Sequence, residues 1–133
     1  MSSENFEGIK VVVIDDSRVI RKSAEILLKK AGCEVITAED GFESLSTVIE
    51  AKPNIIFIDI MMPRLDGYQT CALIKSNPAF KNIPIIHLTG QEGLLERARS
   101  KTVGAVHYMT KPFRREDLLE TIKNYVVDVK ATS

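Results

Sequence analysis

Acidic and basic side chains follow three separate apolar runs in this sequence of 133 residues. Asp15 and Asp16 come directly after one run, Asp59 ends a second, and Lys111 follows a third. A carboxylate at the end of a buried strand is costly unless a cation or a hydrogen-bond donor meets it. Three carboxylates and one ammonium in such positions predict a site that binds a divalent metal and handles phosphate.

The predicted chemistry follows from these side-chain types. Clustered carboxylates repel one another and raise one another's pKa unless a cation intervenes. Their hard oxygen ligands suit Mg²⁺ or Mn²⁺. With the metal present, one carboxylate can attack phosphorus and give an aspartyl phosphate, while the metal and the ammonium neutralise the phosphoryl oxygens. Thr89, at the end of a further apolar run, offers a hydroxyl donor for a phosphoryl oxygen.

Strand and helix patterns alternate along the chain, in five units of about 25 residues. The predicted strands are 9–14, 34–38, 55–58, 85–88 and 105–109, and Ser17 is a candidate cap of the first helix. Phe42, Leu45 and Ile49 mark the second helix, and the fourth is expected to turn Leu94, Leu95 and Ala98 inward. This alternation predicts an open, doubly wound parallel sheet of the α/β class. Ligands of such sheets bind at the carboxyl ends of the strands, where all the candidate residues lie.

The composition and the sequence pattern argue against several classes of function. Eighteen basic and eighteen acidic residues give a net charge of zero, which does not favour nucleic-acid binding. No apolar run approaches the roughly 18 to 20 residues that span a bilayer, and residues 1–8 lack the pattern of a signal peptide. Cys33 and Cys71 lack metal-ligand spacing, which favours a reducing cytoplasm. We predict a disordered lead at 1–8, one domain at 9–128 and a tail at 129–133.

The candidate residues belong to longer motifs, which are Asp15-Asp16, Asp59 with Met62-Pro63 and Asp66-Gly67, Thr89-Gly90, and Tyr108 through Lys111-Pro112-Phe113. In these motifs the sequence resembles the receiver domains of bacterial response regulators, most nearly those of type IV pilus twitching motility, over about residues 9–127. The resemblance implies a flavodoxin-like (βα)₅ fold with strand order 2-1-3-4-5.

The resemblance implies a role for each motif residue. Asp59 would accept phosphate from a histidine kinase. Asp16 and Asp59 would bind Mg²⁺ directly, together with the backbone carbonyl of Met61, and Asp15 would reach the metal through water. Lys111 would pair with the phosphoryl group.

The remaining implied roles concern switching and lifetime. The peptide bond between Lys111 and Pro112 would be cis. Thr89 and Tyr108 would form a switch pair, in which Tyr108 rotates inward when Thr89 moves towards the phosphoryl group. Met61 and Gln91 would set the lifetime of the phosphorylated form.

The implied function is that of a monomeric, non-enzymatic switch that signals by binding another protein. Its output partner would belong to the type IV pilus machinery and would bind a face made of the fourth helix, fifth strand and fifth helix. Two alternatives are a flavodoxin-like cofactor binder and a metal-dependent phosphatase acting through Asp59. The acids at 15 and 16 would repel a flavin phosphate, and Met61 stands where such phosphatases commonly place a second acid. His87 and His107 are expected to be structural.

Overall fold

A parallel sheet of five strands, flanked by five helices, forms the body of the computed structural model, which describes residues 4–90, 93–126 and 130–131. The sheet order is β2-β1-β3-β4-β5, which confirms the predicted fold class. The strands are β1 (Lys10–Ile14), β2 (Glu34–Ala38), β3 (Ile55–Asp59), β4 (Ile85–Thr89) and β5 (His107–Thr110). The helices are α1 (Arg18–Lys30), α2 (Gly41–Ala51), α3 (Gly67–Ser76), α4 (Leu94–Thr102) and α5 (Arg115–Tyr125).

Alternate residues of the strands face two apolar layers. In β3 and β4 all five residues are buried, as expected for strands covered by helices on both faces. One layer packs against α1 and α5 and includes Val11, Val13, Phe57, Leu28 and Ile122. The other packs against α2 and α3 and includes Val12, Ile14, Ile58, Val48 and Ile74.

The ends of α1 and the buried face of α5 agree with what the sequence pattern indicates. The Ser17 side chain caps α1 by accepting from the Ile20 N–H at 3.3 Å. Gly32, just past the end of α1, has φ +105, a left-handed conformation that suits glycine at a helix end. Leu118 and Ile122 of α5 are buried, as their spacing predicts.

Helix α2 forms where the sequence marks it, but two of its three marking residues do not face the core. In α2, Phe42 and Ile49 are exposed, and the buried residues are Gly41, Ser44 and Val48. Gly41 is needed there because a Cβ would meet Leu65 Cβ at 2.7 Å. Two of the three buried residues of α2 are therefore small or polar, and Leu45, Val48 and Ala51 supply its apolar contacts with the core.

Helix α4 is the larger exception. Leu94 and Leu95 are 88% and 82% exposed, and Ala98 is also exposed, so the predicted inward face is wrong. Ser100 is the buried residue of this helix. A single buried hydroxyl gives α4 little of the apolar anchoring that a surface helix usually has.

The predicted disordered lead also differs from the structure, over residues 4–8. Phe6 is 3% exposed and joins the apolar layer that contains Ile9 and Val126. Glu4–Asn5 pairs antiparallel with Lys130–Ala131, so the predicted tail also contains a short strand. One aromatic side chain buries enough area to order a short segment, and a single apolar residue makes no visible pattern.

Candidate functional site

The carboxyl ends of β1, β3 and β5 bring the candidate side chains together. Asp15 follows β1 directly and is fully buried, and Asp59 is the last residue of β3 and 2% exposed. Lys111 follows β5 directly. The register places Val13 beside Phe57 and Ile14 beside Ile58, so Asp15 and Asp59 leave the sheet side by side.

Lys111 joins the two buried acids. Its Nζ lies 3.1 Å from Asp15 Oδ2 and 3.1 Å from Asp59 Oδ1. The Lys111 side chain is 18% exposed, against 0% and 3% for the two carboxylates. These contacts are therefore shielded from water. A charge pair in such a buried place is much stronger than one at the surface.

Asp16 completes a cluster of three acids. It is exposed, and one carboxylate oxygen from each of Asp15, Asp16 and Asp59 lies within 4.8 Å of the others. When all three carboxylates are ionised, they and Lys111 carry two excess negative charges at a largely buried site. The all-oxygen donor set and this excess charge fit a divalent ion such as Mg²⁺.

Backbone donors orient the two buried carboxylates. The Ser17 N–H donates to Asp15 Oδ1 at 2.8 Å, and the Met61 N–H donates to Asp59 Oδ1 at 3.3 Å. Asp15 Oδ2 and Asp59 Oδ1 both face Lys111. The acids are thus held in place before any ion or phosphate arrives.

Burial dominates the titration of Asp59. Loss of hydration and the nearby Asp15 charge raise the pKa of Asp59 to about 7, against the opposing effect of Lys111. Burial would lower the pKa of Lys111, but the charges of Asp15 and Asp59 outweigh it and raise that pKa. A proton therefore competes for Asp59 near neutral pH, as is common for carboxylates at functional sites.

The loop between β3 and α3 is tightly fixed beside Asp59. The Gly67 N–H donates to the Ile60 carbonyl at 2.9 Å. A Cβ on Gly67 would meet Ile60 Cα at 2.7 Å and come closer still to the Asp59 carbonyl oxygen. Asp66 caps α3 in a reciprocal pair with Gln69. The Asp66-Gly67 motif therefore holds the start of α3 against the end of β3.

The proposed switch residues lie on adjacent strands. Thr89 is 4% exposed at the end of β4, and its carbonyl accepts from the Lys111 N–H. The Tyr108 ring is already inward, at 7% exposure, and packs with Ile60 and Tyr68. The peptide bond between Lys111 and Pro112 is cis, as the resemblance implies.

Met61 follows Asp59 by two residues, whereas the two histidines lie within β4 and β5. The side chain of Met61 points outward and is 76% exposed. Gln91 lies outside the described residues. His87 is fully buried and hydrogen-bonded, and His107 is exposed against the Tyr125 ring.

Sequence reasoning missed a contact to the acidic pair. Arg21 donates to the Asp15 carbonyl at 2.7 Å and lies 3.8 Å from Glu39. It sits one turn after the Ser17 cap, so helical periodicity from that cap could have identified it.

Comparison with known proteins agrees with this geometry. Residues 11–123 match the model of the response regulator receiver domain. The chain belongs to the response regulator receiver family. The matched range contains Asp15, Asp16, Asp59, Thr89 and Lys111.

Two curated proteins illustrate this receiver's relatives. It is 59% identical to protein PilG of Pseudomonas aeruginosa over 90% of this chain and 89% of that protein. It is 35% identical to response regulator MprA of a Mycobacterium species over 86% of this chain and 49% of that protein. The receiver thus corresponds to nearly all of PilG and to about half of MprA.

Solved receiver structures share its fold. Chemotaxis protein CheY4 of Vibrio cholerae superposes with a TM-score of 0.86 at 34% identity, covering 89% of this chain and 98% of that one. The receiver domain of a Pseudomonas aeruginosa sensor histidine kinase was solved with magnesium coordinated in its active-site cleft. It superposes with a TM-score of 0.82 at 25% identity, covering 89% of this chain and 97% of that one.

Among the described residues, no helix of this receiver is long and apolar enough to cross a membrane.

Proposed function

We propose that this receiver is a phosphorylation switch in which Asp59 accepts a phosphoryl group from a histidine kinase. The supporting observation is the Lys111 ammonium, which lies 3.1 Å from both Asp15 and Asp59 at the mouth of an acidic cluster. One carboxylate oxygen of Asp59 attacks the phosphorus of the kinase's phosphohistidine, the P–N bond breaks, and the imidazole leaves. Lys111 neutralises the phosphoryl oxygens during the transfer. Thr89, at the end of β4, donates a hydrogen bond from its hydroxyl to the same phosphoryl group.

Mg²⁺ is the proposed cofactor, with Mn²⁺ as a substitute. Asp16 and Asp59 would bind it directly with the Met61 carbonyl, and Asp15 would act through water. When bound, the ion offsets the negative charge of the carboxylates and of the phosphoryl oxygens. The magnesium in the related kinase receiver supports this assignment.

Phosphorylation is tested with acetyl phosphate and Mg²⁺, followed by intact-mass measurement. We expect one added phosphoryl group on the parent protein and none on Asp59→Asn. Asp40→Asn is the matched control, because Asp40 is an acid that caps α2 and is not a member of the cluster. Equal labelling of parent and Asp59→Asn would refute the assignment.

The proposed pathway is control of type IV pilus twitching motility. The support is the 59% identity to PilG, which covers nearly the whole of both chains. The receiver would act in the cytoplasm, as a monomer, by binding a component of the pilus machinery. Cys33 and Cys71 are both free and buried, which is compatible with a reducing compartment.

The proposed output face consists of α4, β5 and α5. A groove of about 370 Å³ lies there, lined by Arg97, Tyr108, Asp117 and neighbouring residues. Arg97 stands 5.2 Å from the Tyr108 ring centre, so movement of either side chain would reshape the groove.

A binding experiment tests this face separately from phosphorylation. Tyr108→Ala should still accept one phosphoryl group at Asp59 but lose the phosphorylation-dependent gain in partner binding. The assay is capture of the pilus-associated partner from cells that carry the receiver in its parent or variant form. Normal phosphorylation-dependent capture by Tyr108→Ala would refute the role of this ring.

A further inference from the structure

Helix α4 lacks the apolar contacts that hold the other helices. Its leucines at 94 and 95 face solvent, and Ser100 is its buried residue. By contrast, α3 buries five residues and α5 buries three. Since apolar burial normally fixes a surface helix, polar contacts must contribute more to the position of α4.

A buried histidine supplies such a contact. His87, in the middle of β4, is 0% exposed. Its Nδ1 lies 2.7 Å from Ser100 Oγ, and its Nε2 lies 3.2 Å from the Gly67 carbonyl oxygen. Because a carbonyl can only accept, Nε2 carries the proton and donates to Gly67. Nδ1 then accepts from the Ser100 hydroxyl, so the neutral ring connects α4 to the start of α3.

A second pair of side chains runs parallel to this connection. The Tyr68 ring meets His87 edge to face, with centres 5.5 Å apart and planes at 86°. The Arg99 guanidinium lies 4.1 Å from the centre of the Tyr68 ring. Adjacent residues of α4, Arg99 and Ser100, thus both reach the first turn of α3.

The other end of this connection lies beside the phosphoacceptor. Gly67 packs against the backbone of Asp59 and Ile60 so closely that a Cβ does not fit. Its N–H is bonded to the Ile60 carbonyl at 2.9 Å. Any shift of the segment after Asp59 therefore moves the carbonyl to which His87 is bonded.

We propose that His87 is a positioning residue that ties α4 to the phosphoacceptor segment through Ser100 and Gly67. Its ring holds α4 in place in the absence of an apolar inner face. It also passes displacements at the end of β3 to α4, and this second role rests on the function proposed above. The exposed leucines of α4 would then move with the phosphoacceptor segment.

Hydrogen exchange measured by mass spectrometry tests the structural role in the metal-free protein. Ser100→Ala and His87→Met each remove the connection, and we expect the amides of α4 to exchange about fivefold to tenfold faster in both. The amides of α1 and α5 should keep their parent rates. His87→Gln, whose side-chain amide can both donate and accept, should restore part of the protection.

Ser46→Ala is the matched control, because the exposed Ser46 hydroxyl bonds only within its own helix, to the Glu43 carbonyl. Unchanged α4 exchange in Ser100→Ala would overturn the proposal. So would uniform acceleration across all helices, which would indicate a general loss of stability. If His87→Met does not fold, the mild Ser100→Ala variant decides the question alone.

The coupling role is tested by adding Mg²⁺ and beryllofluoride, a phosphoryl mimic. We expect the parent's α4 exchange rates to change, and less than half of that change to remain in Ser100→Ala. An equal change in both proteins would overturn the coupling. A parent that does not respond, with α4 still loosened in Ser100→Ala, would support the structural role of His87 and refute the proposed switch instead.

Discussion

Lys111 and Asp59 are 52 residues apart in the chain, yet the lysine Nζ lies 3.1 Å from a carboxylate oxygen of Asp59. The same nitrogen is 3.1 Å from Asp15. One ammonium therefore neutralises part of the charge of two buried acids. The Lys111 ammonium thus lies beside the same carboxylates that would attract a divalent cation.

Replacing Lys111 with Met should therefore lower the stability of the metal-free protein but increase the stabilisation that Mg²⁺ gives. Without Mg²⁺, we expect a loss of about 3 to 5 kcal/mol, because two buried carboxylates lose their cation. With saturating Mg²⁺, the variant should gain more thermal stability than the parent, since the acids no longer share an ammonium. Thermal unfolding at pH 8, with and without Mg²⁺, measures both effects.

Lys22→Met is the control for this comparison, because the Lys22 side chain is 69% exposed. It should change stability by no more than about 0.5 kcal/mol and leave the response to Mg²⁺ as in the parent. If Lys111→Met and Lys22→Met behaved alike, the buried charge balance described here would be wrong.

Magnesium affinity should depend on pH through Asp59. Because burial raises the pKa of Asp59 to about 7, a proton occupies this carboxylate below that pH and must leave when the ion binds. The apparent affinity should fall by up to about tenfold per pH unit below 7 and level off above it. Since the chain has no tryptophan, isothermal titration calorimetry is the suitable measurement.

Calorimetry also counts the displaced proton. Titrations at pH 6 in buffers of different ionisation enthalpy should show close to one proton released for each ion bound. At pH 8 the release should be close to zero. No release at pH 6 would contradict the raised pKa of Asp59.

Gly67→Ala should destabilise the protein by about 1 to 3 kcal/mol, because the new Cβ would overlap the backbone after Asp59. Gly90→Ala is a matched control beside the same site, since a Cβ there meets nothing within 4 Å. It should change stability by less than about 0.5 kcal/mol. Urea unfolding compares the two, and similar losses would show that the close approach at Gly67 is unimportant.

Much of the fold and of the site could be predicted from the residue types within the strands and at their carboxyl ends. Runs of β-branched residues identify the buried strands, and parallel strands place their carboxyl ends at one edge. Asp15, Asp59 and Lys111 could therefore be assigned to one site although they are far apart in sequence. The strand ends alone could not give the 3.1 Å contacts, which depend on side-chain packing.

The inner faces of α2 and α4 could not be predicted in the same way. Apart from Val48, their buried residues are Gly41, Ser44 and Ser100, which give no apolar signal. Ser100 is inward because it meets His87, a polar residue among the apolar residues of β4. The partner of a buried polar group lies in the tertiary structure, so periodicity within one helix cannot identify it.

Met61 should govern the lifetime of the phosphorylated form. Its side chain is 76% exposed two residues after Asp59 and cannot donate a hydrogen bond to an approaching water. Met61→Asn supplies a polar group there, and we expect phosphoryl loss about threefold to tenfold faster, equivalent to about 1 kcal/mol of barrier. Intact-mass measurements after removal of acetyl phosphate follow the decay. Met61→Leu should decay like the parent, and an unchanged or slower decay of Met61→Asn would refute this role.

His87 should make folding stability depend on mildly acidic pH. Burial lowers the pKa of its ring to about 4, against 6.5 for a free histidine. Between these values the unfolded chain binds more protons, so stability is complete above about pH 6.5 and falls as the pH drops towards 4. The share due to His87 should be on the order of 2 to 3 kcal/mol across this range.

The comparison of parent and His87→Gln isolates that share, because other groups titrate in both proteins. Asp59 in particular acts in the opposite direction, since its raised pKa makes the folded state bind the proton. His87→Gln should be less stable at pH 7 but lose less stability between pH 6.5 and 4 in urea unfolding. His107→Gln removes the exposed histidine, whose pKa burial also lowers, and should retain most of the parent's steep decline. If His87→Gln declined as steeply as the parent, the neutral bridging ring would not be the source of the pH dependence.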